Sequence, residues 1–206
     1  MLEPWGATGD DIAAAGHRIL AYYAEPQRRY HTVEHLAEVL VMLGDLVDLA
    51  TDPVAVELAA WFHDAVYDVA AGPGVNEAAS AELAAVVLGP LRVAPPVLDA
   101  TRRLIMTTAE HRPGPEDIDA GVLTDADLWI LGAPRDRYRR YVEAVRQEYG
   151  WLDDAAWRAG RSAVVIGYLD RPRIYLTDRA HIAFDASARR NLASELAALG
   201  GGEAKA

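Results

Sequence analysis

Apolar residues recur at steps of three and four along most of the chain, the spacing that lines up one face of an α-helix. The clearest run begins at Thr32, with Leu36, Val39, Leu40, Leu43 and Val47 in phase. Asp52-Pro53 predicts a fresh start, with Asp52 as cap and Pro53 at the first helical position, where no N–H is needed. The next helix is apolar almost all round and carries the pair His63-Asp64 near its end. Asn76 is the expected cap of a helix over 77–88, ended by Gly89-Pro90, and Pro95-Pro96 opens another running towards Thr107. Arg112-Pro113-Gly114-Pro115 reads as a loop. Thr124 or Asp125 is expected to cap a short helix through Leu131, closed by Gly132. Three more helices are predicted over 134–149, 153–169 and 178–199, and an early one over 10–23. The best β-like run, Arg173-Ile174-Tyr175-Leu176-Thr177, is short and lacks an obvious partner, so it reads as an extended connection. The pattern predicts one all-α domain over 1–199, followed by a disordered, glycine-rich tail at 200–206.

Composition narrows the chemistry. The 206 residues include 31 acidic and 20 basic side chains, a net charge of −11, which argues against polymeric nucleic acid or an anionic membrane surface as partner. A small phosphorylated ligand stays compatible, because a bound metal reverses the local field. Cysteine is absent, which removes disulfides, thiolate metal sites and cysteine nucleophiles. Lys205 is the only lysine, so anions must be met by arginine, backbone or metal. The first residues lack the basic and apolar regions of a signal peptide, and no apolar run is long enough to span a bilayer; the expectation is a cytoplasmic protein. None of these features encodes the oligomeric state, and a homodimer is left open.

His63-Asp64 ends a hydrophobic helix poorly, but an imidazole beside a carboxylate suits a borderline divalent ion. Further donors of the same kind stand at His35 and Asp127, each expected in the first turn of its own helix. Spacing alone leaves plainer readings open: a packed core histidine at His63, a surface histidine at His35, and at Asp127 a carboxylate favoured by the helix dipole.

The motifs around these positions resemble the signature of the HD superfamily of metal-dependent phosphohydrolases. Arg29-Tyr30-His31-Thr32-Val33-Glu34-His35, Trp61-Phe62-His63-Asp64-Ala65-Val66-Tyr67-Asp68, Asn76-Glu77 with Ser80-Ala81, and Asp125-Ala126-Asp127-Leu128 carry the resemblance. Later pieces extend it over nearly the whole chain: Arg146 with Glu148-Tyr149, Gly160-Arg161, 169–177 and Ala188-Arg189 to Leu192. It implies an HD-type helical bundle and a site in which His35, His63, Asp64 and Asp127 hold one divalent metal ion (Mn, Fe, Co, Ni, Zn or Mg). Asp127 is preferred over Asp125 because the family's ligand is usually the second aspartate of this Asp-x-Asp. Two aspartates neutralise such an ion and leave positions for water, whose pKa falls towards neutrality, and for substrate. The implied activity is hydrolysis of a nucleotide or other small phosphorylated metabolite. The rivals are a diiron oxygenase on the same scaffold and a non-catalytic nucleotide-sensing module.

Neighbouring residues then acquire candidate roles. Glu77, following a glycine-containing turn, is a candidate general base, against the plainer role of stabilising its helix N-terminus. His111 is the only histidine between Asp64 and Asp127, which favours a single metal; it is a candidate to protonate a leaving group, contact phosphate or add a ligand. Arg29, preferred over Arg28, is a candidate phosphate contact, and so is His31, which should precede the helix that Thr32 caps. Arg146 is expected to bind substrate. Tyr138, Tyr141, Tyr149, Trp151 and Trp157 read as packing between helices.

Overall fold

The structure is a computed structural model that describes residues 7–200. It is all-α, and no strand occurs among the described residues. The helices are α1 (Gly9–Tyr23), α2 (Val33–Leu46), α3 (Pro53–Phe62), α4 (Val75–Leu88), α5 (Pro95–Thr107), α6 (Ile118–Asp127), α7 (Trp129–Gly132), α8 (Arg135–Glu148), α9 (Asp154–Leu169) and α10 (Asp178–Gly200). The described residues fall into two compact units, one ending at Asp127 and the other beginning at Leu128, with no linker between α6 and α7. No helix among the described residues is long and apolar enough to cross a membrane.

In the first unit, α3 is the central rod, packed against α2, α5 and α6. Its all-round apolar sequence now has its reason: Ala55, Val56, Ala59, Ala60 and Phe62 are completely buried. Small alanines let the neighbouring helices approach closely, and Val56 and Phe62 fill the remaining space. Asp52 caps the helix as expected, accepting from the Ala55 amide at 3.0 Å.

Three boundaries differ from expectation. Helix α3 stops at Phe62, so His63 closes the helix and Asp64 lies in the turn beyond it. Helix α4 begins at Val75 behind Gly74, whose φ of +75° favours glycine. Asn76 therefore does not cap it; its side chain instead bonds the backbone N–H and C=O of Asp68, both at 3.0 Å. Helix α6 starts at Ile118, six or seven residues before the expected caps Thr124 and Asp125, because Asp117 accepts from the Ala120 amide there. Asp127 is thus at the C-terminal end of its helix, and Asp125 is fully buried within it.

In the second unit, α10 packs along α7 and α9. Gly132 permits the α7 contact: a Cβ there would sit 2.7 Å from Phe184 Cβ and 2.8 Å from the Tyr175 hydroxyl. Asn191 of α10 donates to the carbonyls of Leu131 and Ala133, both at 2.9 Å, and secures the same junction. The segment 173–177 is a connection without strand, as expected, but it runs through successive bends at 174–177 rather than extended; Asp185 fastens it by accepting the Ile174 amide at 2.8 Å. Gly200 is the last residue of α10 rather than the first of a tail; residues 201–206, and Met1 to Gly6, lie outside the described residues.

Candidate metal centre

Three helix ends and one turn bring four side chains of the first unit together. His35 is in the first turn of α2, whose start is set by Thr32 accepting the Glu34 amide at 3.3 Å. His63 and Asp64 follow α3, and Asp127 closes α6. The His35 Nε2 atom lies 3.1 Å from His63 Nε2, 3.4 Å from Asp64 Oδ2 and 3.2 Å from Asp127 Oδ1. His63 Nε2 lies 3.2 Å and 3.5 Å from the same two carboxylate oxygens. Both rings are buried, and the carboxylates form the more open side of the cluster.

The donor set fits a divalent ion. His35, His63 and Asp64 offer three ligand atoms mutually within 4.8 Å, and Asp127 Oδ1 joins them at the distances above. Metal–ligand bonds of about 2.0–2.2 Å in tetrahedral or octahedral geometry give ligand–ligand edges of roughly 2.8–3.6 Å. The observed separations fall in that interval. The ring orientation agrees as well: His63 Nδ1 lies 2.8 Å from the Ala60 carbonyl, an acceptor only, so Nδ1 carries a hydrogen and Nε2 is the nitrogen turned to the centre, where its lone pair would be the one offered to a metal.

Charge tells the same story. Burial opposes ionisation of all four groups, yet their mutual attraction outweighs it. The His63 charge, with help from His35, holds the Asp64 carboxyl well below the usual carboxylate range. Asp127 is held down likewise by His63, with His111 and His35 adding hydrogen bonds. In return, Asp127 and Asp64 raise His35, and the two carboxylates raise His63 well above an ordinary imidazole. Two carboxylates that stay ionised while buried require positive charge between them, as protons on the rings or as a metal cation.

The other sequence candidates separate. His111 adopts φ +49°, an uncommon conformation for a non-glycine residue, and its Nε2 lies 2.6 Å from Asp127 Oδ2. It therefore orients the Asp127 carboxylate by donating to the oxygen that faces away from His35 and His63. His31 precedes α2 as expected; its ring stacks on Tyr67 at 3.9 Å, and its Nε2 is 4.0 Å from Asp64 Oδ2, at the rim of the cluster. Glu77 is half-buried in the first turn of α4, one turn ahead of Ser80, which bonds both backbone groups of Val66. No hydrogen bond or ion pair among the described residues links Glu77 to the four. Arg29 is exposed and bonds the carbonyls of Pro26 and Arg28 at 2.5 and 2.9 Å. Arg146 belongs to the second unit, where it bonds the Tyr149 and Leu152 carbonyls and Asp154 and lies over the Trp157 ring.

Two residues that build the centre escaped the sequence reading. Arg28, the arginine passed over for Arg29, has a fully buried side chain that bonds the carbonyls of Asp64 and Ala65, both at 2.7 Å, and of His31 at 3.1 Å. One guanidinium thus ties the approach to α2 to the turn after α3. Tyr23, at the end of α1, donates to the Trp61 carbonyl and accepts the Asp64 amide, both at 3.3 Å; burial raises its hydroxyl pKa far enough to keep it neutral. The adjacency of Arg28 to the His31–His35 motif was the available signal for the first; for Tyr23 the sequence offers none.

Comparison with protein-family models, with curated proteins and with solved structures yields no match to this chain.

Proposed function

We propose that the chain is a metal-dependent phosphohydrolase of the HD type, acting on a nucleotide or another small phosphorylated metabolite. The convergence of His35, His63, Asp64 and Asp127 on one point, from segments far apart in sequence, carries this reading. A divalent ion held there would supply a Lewis acid for a phosphoryl oxygen and a water acidified towards neutrality. Arg28 and Tyr23 keep the Asp64 turn in place. His111 fixes Asp127 and is reassigned here from proton donor to orienting residue. Glu77 remains the candidate base, on the face of α4 that Ser80 joins to Val66, two residues beyond Asp64. His31, 4.0 Å from Asp64, and Arg29 remain the candidate phosphate contacts. Arg146 is engaged within its own unit and is left out of this assignment.

The diiron oxygenase alternative needs His111 on a second iron. Its short contact with Asp127 commits that nitrogen to a carboxylate oxygen, which favours one ion. The deciding experiment is a screen of phosphorylated metabolites with each divalent metal in turn. Turnover of at least one compound is expected, lost with a chelator and lost in Asp64→Ala. Glu77→Gln should bind metal normally and lose most turnover. Tight metal binding with no hydrolysis of any compound would instead favour the sensing module.

A further inference from the structure

A cleft of about 900 Å³ lies in the second unit, between α8 and α10. Its size falls within the range of small-molecule sites. Ala133, Val142 and Phe184 give it an apolar wall, while Arg135, Arg139 and Arg190 stand along it, all three exposed. None of the four residues of the candidate metal centre lines it.

Charge is distributed unevenly over the chain. Residues 1–127 contain 21 acidic and 7 basic side chains, whereas residues 128–206 contain 10 acidic and 13 basic. Within the second unit the excess is concentrated where α8 begins: Arg135, Arg137, Arg139 and Arg140 are four of its first six residues. No hydrogen bond or ion pair among the described residues engages Arg135. Arg190 bonds only the Ser187 hydroxyl, at 2.8 Å, and Arg139 has loose exposed pairings with Asp136 and Glu143 at 4.0 and 3.8 Å. These cations are available to a ligand.

The floor of the cleft is a built polar network. Glu195 lines it and is more than nine-tenths buried. Arg161 grips this carboxylate at 2.7 and 3.2 Å, and the Tyr138 hydroxyl donates to the same group. The Tyr141 ring lies beneath the guanidinium, 5.0 Å from its centre. A buried ion pair of this kind is weak support for stability, since apolar replacements of similar volume often serve as well. Here it neutralises the one carboxylate at the floor, so the arginines at the rim set the sign of the cleft.

We propose that this cleft binds a small organic anion, a phosphate, sulfonate or carboxylate carried on an apolar or aromatic body. The charged group lies among Arg135, Arg139 and Arg190, and the body lies against Ala133, Val142 and Phe184. The proposal is independent of the metal centre and of the hydrolase reading.

The test is a fluorescence titration of the full-length protein with 8-anilinonaphthalene-1-sulfonate, and with the uncharged N-phenyl-1-naphthylamine as control. Saturable binding of one sulfonate per chain is expected, weakened about tenfold or more by Arg135→Ala combined with Arg190→Ala. Both side chains are exposed, so this variant should fold. Ala183→Trp, which fills the cleft from an exposed position of α10, should abolish binding, and Arg102→Ala in the first unit should not change it. Equal affinity for the uncharged control, or binding that ignores the arginine substitutions, would overturn the proposal. So would a concentration-dependent dimer, seen by sedimentation, that the same substitutions dissolve, since the acidic first unit of a second copy would then be the occupant.

Discussion

The Nε2 atoms of His35 and His63 approach to 3.1 Å across 28 residues of sequence. Because His63 Nδ1 donates to Ala60, Nε2 is the nitrogen left to face His35. A hydrogen shared between the two nitrogens, or a cation bound to both, accounts for such an approach, and oxygens of Asp64 and Asp127 lie 3.2 Å from His63 Nε2 and His35 Nε2 respectively. Packing α2 against α3 and α6 brings the two rings together, so the core and the candidate site are one construction.

Metal binding should therefore be stoichiometric and should stabilise the fold. One equivalent of a divalent ion is expected by calorimetry, and at a free concentration about a hundred times its Kd the gain is about 2.7 kcal/mol. His63→Ala or Asp127→Ala should lose the ion and the accompanying rise in melting temperature while circular dichroism stays helical. Burial pulls both imidazoles down, but the carboxylates leave them raised, so an incoming metal displaces protons and affinity should climb with pH. Unchanged affinity in either variant would remove the assignment.

Arg28 should matter more than Arg29. Arg28→Met leaves the carbonyls of Asp64, Ala65 and His31 without their donor, with an expected loss of about 2–4 kcal/mol in chemical denaturation and weaker metal binding. Arg28→Lys should recover part of both. Arg29→Ala, at an exposed position, should change stability by no more than about 0.5 kcal/mol. Equal effects at the two positions would contradict the buried clamp.

The same pair illustrates what the sequence made legible. Periodicity, Pro53, Pro95 and the caps at Thr32 and Asp52 located most helices within a residue or two, because those signals are local. The four donors were legible as chemistry, and their convergence follows the helices that carry them. Arg28 could not be told from Arg29, since burial of one and exposure of its neighbour depend on where the turn after α3 comes to lie. The start of α6 was misplaced because Asp117 competes with Thr124 and Asp125 as a cap, and only packing buries the latter two. The cleft between α8 and α10 was invisible, since Arg135 and Arg139 on one helix and Arg190 on the other, far along the chain, line one space only once the two helices are packed together.

Two glycines should respond oppositely to alanine. At Gly132 the added methyl would meet Phe184 Cβ at 2.7 Å and the Tyr175 hydroxyl at 2.8 Å, and α7 would have to back away from α10. A loss of about 1–3 kcal/mol is expected. Gly160 lies inside α9 with nothing within 4 Å of the new atom, so Gly160→Ala should gain about 0.5–1 kcal/mol. Paired thermal melts measure both, and a neutral Gly132→Ala would show that the α7–α10 contact is not tight.

Asp185 should make the second unit acid-sensitive. Burial raises its carboxyl, but the Ile174 amide at 2.8 Å and Arg189 at 2.6 Å outweigh that and hold it below the usual carboxylate range. Arg189 also bonds the carbonyls of Leu169, Arg171 and Pro172, so the ionised carboxylate organises the end of α9 and the connection to α10. A group lowered in the folded state contributes stability that is complete above its unfolded value and is lost as pH falls through the folded one. Asp185→Asn keeps an acceptor for the Ile174 amide but removes the charge that holds Arg189. It should cost about 1–3 kcal/mol near neutral pH, and the gap from the parent should shrink steadily below a pH of about 4. Denaturant titrations across that range check it; a gap of constant size down to strongly acidic pH would mean that shape, rather than charge, is what Asp185 supplies.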